Sequence, residues 1–321
     1  MKSDYPDLPG LPPLFMQRLQ NILSPENYEQ YLHFLAATKT TCFRVNTLKI
    51  SIAELIDRLH AQKIITHPIS WCEEGYSVAN DQRRMLTETT EFQTGLLYIQ
   101  NPSSLFASLV LSPKPGEEVL DLAAAPGGKT LHLAALMKNE GRIAAVEAVK
   151  NRFFRLKNNI ANAGANIVQA YHKDGALIGR LVPKRFDRVL LDAPCSSEGR
   201  FDLNNPESYL YWNEKKITEM TRKQKQLIYS AIQCVKPNGI LVYCTCSFSP
   251  EENEAIVQYA LDKFGQAIEI LPITVPFPNF QTGLSSWKND FFSPVMENAI
   301  RIIPDAMMSG FFICKMRINS F

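Results

Sequence analysis

The sequence lacks the features that would place the protein in or across a membrane. It has no apolar run of the roughly 18 residues that a membrane-spanning helix requires, and no basic start followed by an apolar segment that would direct export. Its net charge is only +2. A protein that binds nucleic acid through its overall field is therefore disfavoured, and any such contact has to come from local basic faces.

The seven cysteines lack the order of a disulfide framework, because their number is odd and no CxxC pair occurs. A reduced, cytoplasmic protein fits this pattern best. Cys244 and Cys246 form a CxC pair and Cys195 could add a third sulfur for zinc, but no histidine or fourth ligand is near them in the sequence. The sequence therefore predicts no metal site. The remaining cysteines are expected to be small buried apolar residues: Cys42, Cys72, Cys234 and Cys314.

The length of 321 residues favours two domains, and the composition, 45% apolar and 21% charged, is that of a globular protein. Near the N-terminus, "CFRVNTLK", "SIAELIDRLHAQK" and "IITHPI" predict a small β-α-β unit, with Ser51 as the helix N-cap. From about residue 118, apolar strands alternate with helices as far as "NEAIVQYALDKF", and "RIIPDAMMSGFFICKMRI" predicts further strand. This alternation predicts an α/β fold, an open parallel sheet with helices on both faces.

The glycine-rich stretch "VLDLAAAPGGKT", residues 119–130, ends like a nucleotide-triphosphate loop but does not match one. A GxxxxGK[ST] loop would need its first glycine at residue 123, which is alanine, and no GxGxxG fingerprint is present either. What remains is a strand, a turn of small residues and a helix. Such a turn lets the backbone approach a ligand closely at Gly127 and Gly128.

Three successive predicted strands after this turn end in acids, namely Glu147, Asp174 and Asp192. Glu147 lies about 20 residues beyond the glycines, where doubly wound folds place an acid on ribose hydroxyls. A cofactor that carries adenosine without a phosphate fits this arrangement, and S-adenosylmethionine is such a cofactor. The alternative is that each acid only caps the helix that follows it.

Two cysteines follow neighbouring predicted strands: Cys195 in "LLDAPCSSEGR" and Cys246 in "VYCTCSFSPEEN". If those strands are adjacent in the sheet, both thiols reach one crevice. Beside a methyl donor, a thiolate that attacks carbon 6 of a pyrimidine makes carbon 5 nucleophilic enough to take a methyl group. A second group must then assist the loss of the carbon-5 proton and the release of the enzyme.

With these motifs in view, the chain resembles the Nol/Nop/Sun family of RNA cytosine-C5 methyltransferases, most closely the bacterial RsmF-type rRNA enzymes. "LDLAAAPGGKT", "LLDAPCSSEG" and "YCTCSFSPEENE" recur in the order of that family, and the resemblance covers nearly the whole chain. It implies a class I methyltransferase, a Rossmann-like sheet, over residues 106–321. It also implies a small α+β RNA-binding domain over residues 1–105 that is similar to an RNA-recognition module.

The resemblance also assigns roles to matched positions. Cys246 would be the nucleophile, Cys195 would assist its release, and Asp192 would stabilise a proton on N3 of the base beside the cofactor. Glu147 would hold the ribose, with Arg152 next to it or simply exposed on a helix, and Asp174 would lie on the adenine side. Lys129 would line the same crevice, although a phosphate or a structural contact would explain it equally well. The methionine part of the cofactor would lie on Ala123, Ala124, Ala125, Pro126, Gly127, Gly128 and Lys129.

Some positions depart from the family pattern. Asn101 stands where an acid is usual and is followed by Pro102, Cys244 replaces a common serine, and "CSSEG" replaces "CSGEG". The chain ends soon after "GFF", whereas RsmF-type relatives continue into a C-terminal RNA-binding extension. The resemblance therefore predicts the activity class and an RNA partner, acting as a monomer, but not whether rRNA or tRNA is the target. A DNA cytosine methyltransferase and a catalytically silent RNA-binding assembly factor are the alternatives. The basic segments "NRFFRLK" and "MTRKQK" are candidate RNA contacts if they lie beside the crevice.

Overall fold

The computed structural model describes residues 10–35 and 37–320, which form a small sheet and a large sheet packed together. The Pro-rich start of the sequence suggests a loop before the first helix, and its residues 5–9 lie outside the described residues. Across the described ranges, no helix combines the length and the apolar character needed to cross a membrane.

The small sheet has four antiparallel strands in the spatial order β2-β3-β1-β4. In chain order the unit runs β-α-β-β-α-β, which is the split β-α-β arrangement of ferredoxin-like folds. The first crossover helix begins after Ser51, whose side chain accepts a hydrogen bond from the Glu54 backbone N–H, so the predicted N-cap is present. The elements are β1 (Thr41–Val45), α3 (Ile52–Ala61), β2 (His67–Ile69), β3 (Cys72–Val78), α4 (Arg83–Glu88), α5 (Thr90–Gln93) and β4 (Leu97–Ile99), preceded by α1 (Pro13–Ile22) and α2 (Pro25–Leu35).

Both faces of the small sheet are buried. Phe43 and Val45 of β1 pack towards Leu55 and Leu59 of α3. On the opposite face, Cys42 packs with Leu105 of the next helix, α6 (Pro102–Leu111). A free RNA-recognition module keeps such a face open to stack bases. In this protein α6 packs against that face at Cys42, so the face is not open in the same way.

The large sheet has nine strands, with β5, β6, β7, β8 and β9 parallel to one another at its centre. The order is β11-β14-β15-β9-β8-β5-β6-β7, with β10 paired to β15. The strands are β5 (Glu118–Asp121), β6 (Arg142–Glu147), β7 (Val168–His172), β8 (Phe186–Asp192), β9 (Val235–Thr245), β10 (Ile268–Leu271), β11 (Phe280–Thr282), β14 (Ile300–Ile302) and β15 (Phe311–Ile318); β12 (Ser286–Trp287) and β13 (Asp290–Phe291) form a separate hairpin.

Helices cover both faces of the large sheet, as the alternating pattern predicted. One core contains Leu120, Leu191 and Tyr243 together with Phe15 of α1 and Tyr31 of α2, so the first two helices join the large core. The other core lies beneath α6. The remaining helices are α7 (Gly128–Leu136), α8 (Lys150–Ala163), α9 (Ile178–Leu181), α10 (Glu214–Cys234) and α11 (Glu254–Phe264).

The C-terminal strands depart from a purely parallel sheet. The "GFFICKMRI" segment forms β15, which inserts antiparallel between β9 and β14. The resulting mixed sheet places β8 next to β9, so the loops after these two strands leave the same edge. The division of the chain at residue 105 remains a proposal.

Candidate active site

Two cavities meet at the carboxyl edge of the large sheet. The larger, of about 900 Å³, extends over the ends of β6 and β7 and is lined by Glu147 and Asp174 among others. The smaller, of about 480 Å³, lies over the Ala123–Pro126 turn and Lys129, against Tyr98 of the small sheet. The residues that line both cavities are Ala123, Arg152, Asp192, Arg200 and Cys246.

Cys195 and Cys246 lie together at this junction, with their Sγ atoms 3.2 Å apart. The Cys195 thiol, by its hydrogen bond to the Cys246 sulfur, lowers the pKa of Cys246 below that of an ordinary thiol, and the charge of Arg200 acts in the same direction. The pKa of Cys195 is raised, first by that same hydrogen bond and then by burial. These shifts favour the thiolate on Cys246 and the proton on Cys195 when the pair loses its first proton.

Two buried glutamates tie the loops that carry these thiols to each other. Glu198, three residues after Cys195, accepts hydrogen bonds from the backbone N–H groups of Phe248 (2.9 Å) and Ser249 (2.8 Å) in the opposite loop. Reciprocally, Glu252 accepts the Ser196 N–H at 2.9 Å. Burial, together with the charge of Glu198, raises the pKa of Glu252 to about 7. These cross-links hold the two sulfurs together. Neither glutamate was predicted from the sequence, although the quoted motifs contain both.

A charged pair stands beside the thiols. Asp192, at the end of β8, accepts a hydrogen bond from Lys129 Nζ at 2.6 Å, and the Cys244 Sγ lies 3.7 Å from its other oxygen. Lys129 is 7% exposed and forms its ion pair across the cavity from the start of α7. Arg200 adds a second cation facing Cys246 and Asp192. It too was missed, and its only sequence signal is its place at the end of "CSSEGR".

The turn before α7 is held in place by its neighbours. Gly127 has φ 115°, a left-handed conformation that favours glycine, and an added Cβ at Gly128 would lie 3.1 Å from the Tyr98 ring. Arg152 donates a hydrogen bond to the Ala125 carbonyl at 2.5 Å, and its Nη1 lies 3.5 Å from Glu147. Arg152 is thus a clamp between the turn and the acid and not merely an exposed helix charge.

The predicted site residues fall into groups. Glu147, Asp174, Arg152 and Asp192 line the larger cavity, while Ala124, Ala125, Pro126, Gly128 and Lys129 line the smaller one. Gly127 lines neither and acts through its backbone. Asp174 does accept a capping hydrogen bond, from the Ala176 N–H at 3.0 Å, which is the alternative that the sequence left open for the acids.

Glu147 fits a ligand that carries hydroxyl groups. Its Oε1 accepts the Val149 N–H at 2.8 Å, but its Oε2 is buried without a hydrogen-bond partner. A buried acceptor without a donor is costly, and a ribose hydroxyl in the larger cavity would supply the donor. The acceptor that Glu147 presents in the larger cavity therefore fits an adenosine cofactor.

The chain matches two family descriptions. "16S rRNA methyltransferase RsmB/F" matches residues 108–317, and "N-terminal domain of 16S rRNA methyltransferase RsmF" matches residues 11–102. The chain belongs to the RsmB/F family. The ribosomal RNA small subunit methyltransferase F of Vibrio parahaemolyticus serotype O3:K6 is 34% identical to this RsmB/F chain over 312 residues, which are 96% of this chain and 63% of the relative.

Solved structures agree on the fold. A methyltransferase homolog protein from Pyrococcus horikoshii is 36% identical, with a TM-score of 0.77 over 96% of this chain and 100% of the other. NSun6 from the same organism, at 22% identity, has a TM-score of 0.80 over 97% and 99% of the two chains and shows the shared fold. The family resemblance and the class I methyltransferase fold predicted from the sequence are thus confirmed. The chain spans 63% of the length of the Vibrio relative.

Asn101, which stands where the family pattern has an acid, has a structural role in this RsmB/F member. Its Oδ1 accepts the Ser103 N–H at the start of α6, and its Nδ2 donates to the Met307 carbonyl at 3.2 Å. Aspartate could form the cap but could not donate to Met307. Asparagine therefore ties α6 to the segment that precedes β15.

The Cys246 thiolate leads to a pH prediction for this RsmB/F chain. Iodoacetamide should alkylate Cys246 with a midpoint pH below that of a free cysteine, about 8.5, since the thiolate is the reacting form. Arg200→Gln removes a facing cation and should move the midpoint to higher pH, whereas Arg180→Gln, on α9 outside both cavities, should leave it unchanged. Mass spectrometry of the Cys246 peptide reports the rate. An unchanged midpoint in Arg200→Gln would show that Arg200 does not set the thiolate.

Proposed function

We propose that the chain is an S-adenosylmethionine-dependent methyltransferase that modifies carbon 5 of a cytosine in structured RNA. One observation carries this proposal: the Cys195 and Cys246 sulfurs lie 3.2 Å apart where the two cavities join. One cavity has the acids suited to adenosine, and the other is open to a base. Two neighbouring sulfurs at this junction suit the reaction, because one can add to the base as a thiolate and the other can assist the later release of the base.

The cofactor would lie in the larger cavity. Glu147 would hold the ribose through its Oε2, which lies 3.5 Å from Arg152 Nη1 but accepts no hydrogen bond. Asp174 would lie on the adenine side, and Arg152 would keep Glu147 and the turn together. The turn Ala123–Lys129 and Asp192 would border the methionine end near Cys246. When bound, the cofactor supplies the methyl group.

The residues of the chain then have distinct tasks. The Cys246 thiolate adds to carbon 6 of the cytosine, and the electron density that moves through the ring is taken up at N3 as N3 gains a proton. Asp192, oriented by Lys129, would stabilise that proton. After carbon 5 has taken the methyl group, a base takes the carbon-5 proton; this base is water, or the Cys195 sulfur once it has given up its own proton. The electrons of that C–H bond form the carbon 5–carbon 6 double bond, and the Cys246–carbon 6 bond breaks. Cys195, the neighbouring thiol, would assist this elimination, and the bond electrons return to Cys246 as thiolate.

Methyl transfer from radiolabelled S-adenosylmethionine to RNA and to DNA tests this proposal. We expect 5-methylcytosine in RNA and none in DNA. Transfer to DNA alone would make the protein a DNA cytosine methyltransferase, and RNA binding without cofactor binding or transfer would make it a silent assembly factor. Comparison of small-subunit rRNA with tRNA then identifies the target; the RsmB/F family and the Vibrio relative support rRNA.

A monomer in the cytoplasm is part of this proposal. The seven cysteines are all free, which suits a reducing compartment. Sedimentation of the purified protein tests the monomer, and fractionation of cells tests the compartment.

Glu147→Ala should weaken S-adenosylmethionine binding by about 1.5 to 3 kcal/mol, because the ribose hydroxyls lose a charged acceptor. Calorimetric titration measures the effect. Glu140→Ala is the matched control, since Glu140 is exposed and lines neither cavity. Equal affinity in Glu147→Ala and the wild type would remove Glu147 from the cofactor site.

A further inference from the structure

A third cavity, of about 600 Å³, lies between the small sheet and α8. We call it the arginine groove, after Arg44, Arg83 and Arg155 in its lining. It continues from the smaller active-site cavity, because Tyr98, Ile99 and Pro126 line both.

The lining of the groove carries cations but no acids. Within the described ranges, no acidic residue lines the groove, and neither Arg83 nor Arg155 forms an ion pair, whereas Arg44 lies in the field of the Glu74 carboxylate. This differs from arginines nearby: Arg84, next to Arg83 on α4, pairs with Glu88 at 2.8 Å. Arg44 is 1% exposed, and its Nε has no hydrogen-bond partner. Arg83 and Arg155 are exposed cations with no acid in the lining beside them, so the groove suits a polyanionic partner.

The other lining residues specify the kind of polyanion. Tyr98 and Phe92 provide aromatic rings, and Gln93, Asn159 and Asn162 provide amides. On α8, Arg152, Arg155, Asn159 and Asn162 recur at the spacing of one helix face, so a polar stripe runs from the active site into the groove. Arginines, aromatic rings and amides suit the phosphates, bases and base edges of a single strand.

We propose that the arginine groove binds the single-stranded RNA segment adjacent to the target cytosine. Since α6 covers the face of the small sheet on which a free RNA-recognition module stacks bases, RNA contacts this domain at its β4 edge, through Tyr98 and the groove. The segment would reach Cys246 through the smaller active-site cavity, which adjoins the groove at Tyr98 and Pro126 and is itself lined by Cys246. This inference rests on the proposed function, and it assigns the path of the substrate strand.

The test removes two groove charges and compares their loss with that of two charges on the same helices. Arg83→Gln/Arg155→Gln is the groove variant, and Arg84→Gln/Lys157→Gln, whose side chains do not line the groove, is the control. The probe is a short fluorescent single-stranded RNA with one central cytosine, and anisotropy is measured over a series of salt concentrations. We expect the groove variant to bind roughly tenfold more weakly and its salt slope to fall by about 1.4, since each phosphate contact on a single strand contributes about 0.7. The control should keep the wild-type slope.

Calorimetry should show wild-type S-adenosylmethionine affinity in both variants, which establishes that they are folded. Equal slopes in the groove variant and the wild type, or equal losses in the groove variant and the control, would overturn the groove assignment. If wild-type protein methylates RNA while the groove variant binds normally, only the groove assignment fails. If RNA binding depends on the groove but no methyl group is transferred, only the proposed activity fails. Arginine-dependent binding of polyglutamate without binding of RNA would assign the groove to an acidic protein partner.

Discussion

Cys246→Ala protein, incubated with S-adenosylmethionine and RNA, is expected to form neither methylated cytosine nor a covalent protein–RNA complex. The substitution removes the sulfur that adds to carbon 6, and loss of a catalytic nucleophile lowers turnover by roughly 10⁴-fold or more. Denaturing gels detect the complex, and radiolabel incorporation measures transfer. Cys244→Ser is the matched control, because Cys244 lies on the buried strand β9, two residues before Cys246, and its Sγ faces Asp192 rather than Cys195.

Alkylation supports the interpretation of the Cys246→Ala result. Burial raises the pKa of Cys42 to about 11 and of Cys234 to about 12, so these thiols should stay unreactive at neutral pH while Cys246 reacts. Wild-type levels of methylated cytosine from Cys246→Ala would remove this residue from the chemistry.

Cys195→Ala protein is expected to accumulate a covalent complex with RNA that survives denaturation. Cys246 can still add to the base and the methyl group can still be transferred, but the thiol that assists elimination is missing. The same substitution removes the hydrogen bond that lowers the pKa of Cys246, so the attack should need a higher pH than in the wild type. The gels are therefore run across neutral and alkaline pH.

The two variants together decide the division of labour between the thiols. A loop oligonucleotide is the better substrate, because a base in a loop reaches a recessed site without the cost of leaving a duplex. A stable complex from Cys246→Ala and none from Cys195→Ala would reverse the two roles.

The sequence by itself determined the class of the protein and its motifs. Alternation of apolar segments predicted the strands β5 to β9 and the helices between them. The central strands β5, β6, β8 and β9 are largely buried, as apolar runs of a parallel sheet require, while the edge strand β7 is mostly exposed. Glu147, Asp174 and Asp192 could be placed at one edge because parallel strands end on the same side of a sheet. The same reasoning placed Cys195 and Cys246 in one crevice, since each follows a strand at that edge.

Tertiary structure alone decided what joins these segments. Glu198 and Glu252 cross-link the thiol loops by contacting residues about 50 positions away in the sequence. No local sequence pattern predicts such contacts. The insertion of β15 next to β9 depends on pairing between distant segments. The covered face of the small sheet and the arginine groove arise from packing between the two sheets. The sequence shows that Arg44, Arg83 and Arg155 are charged, but only the folded chain shows that they line one groove with no acidic residue among its described lining.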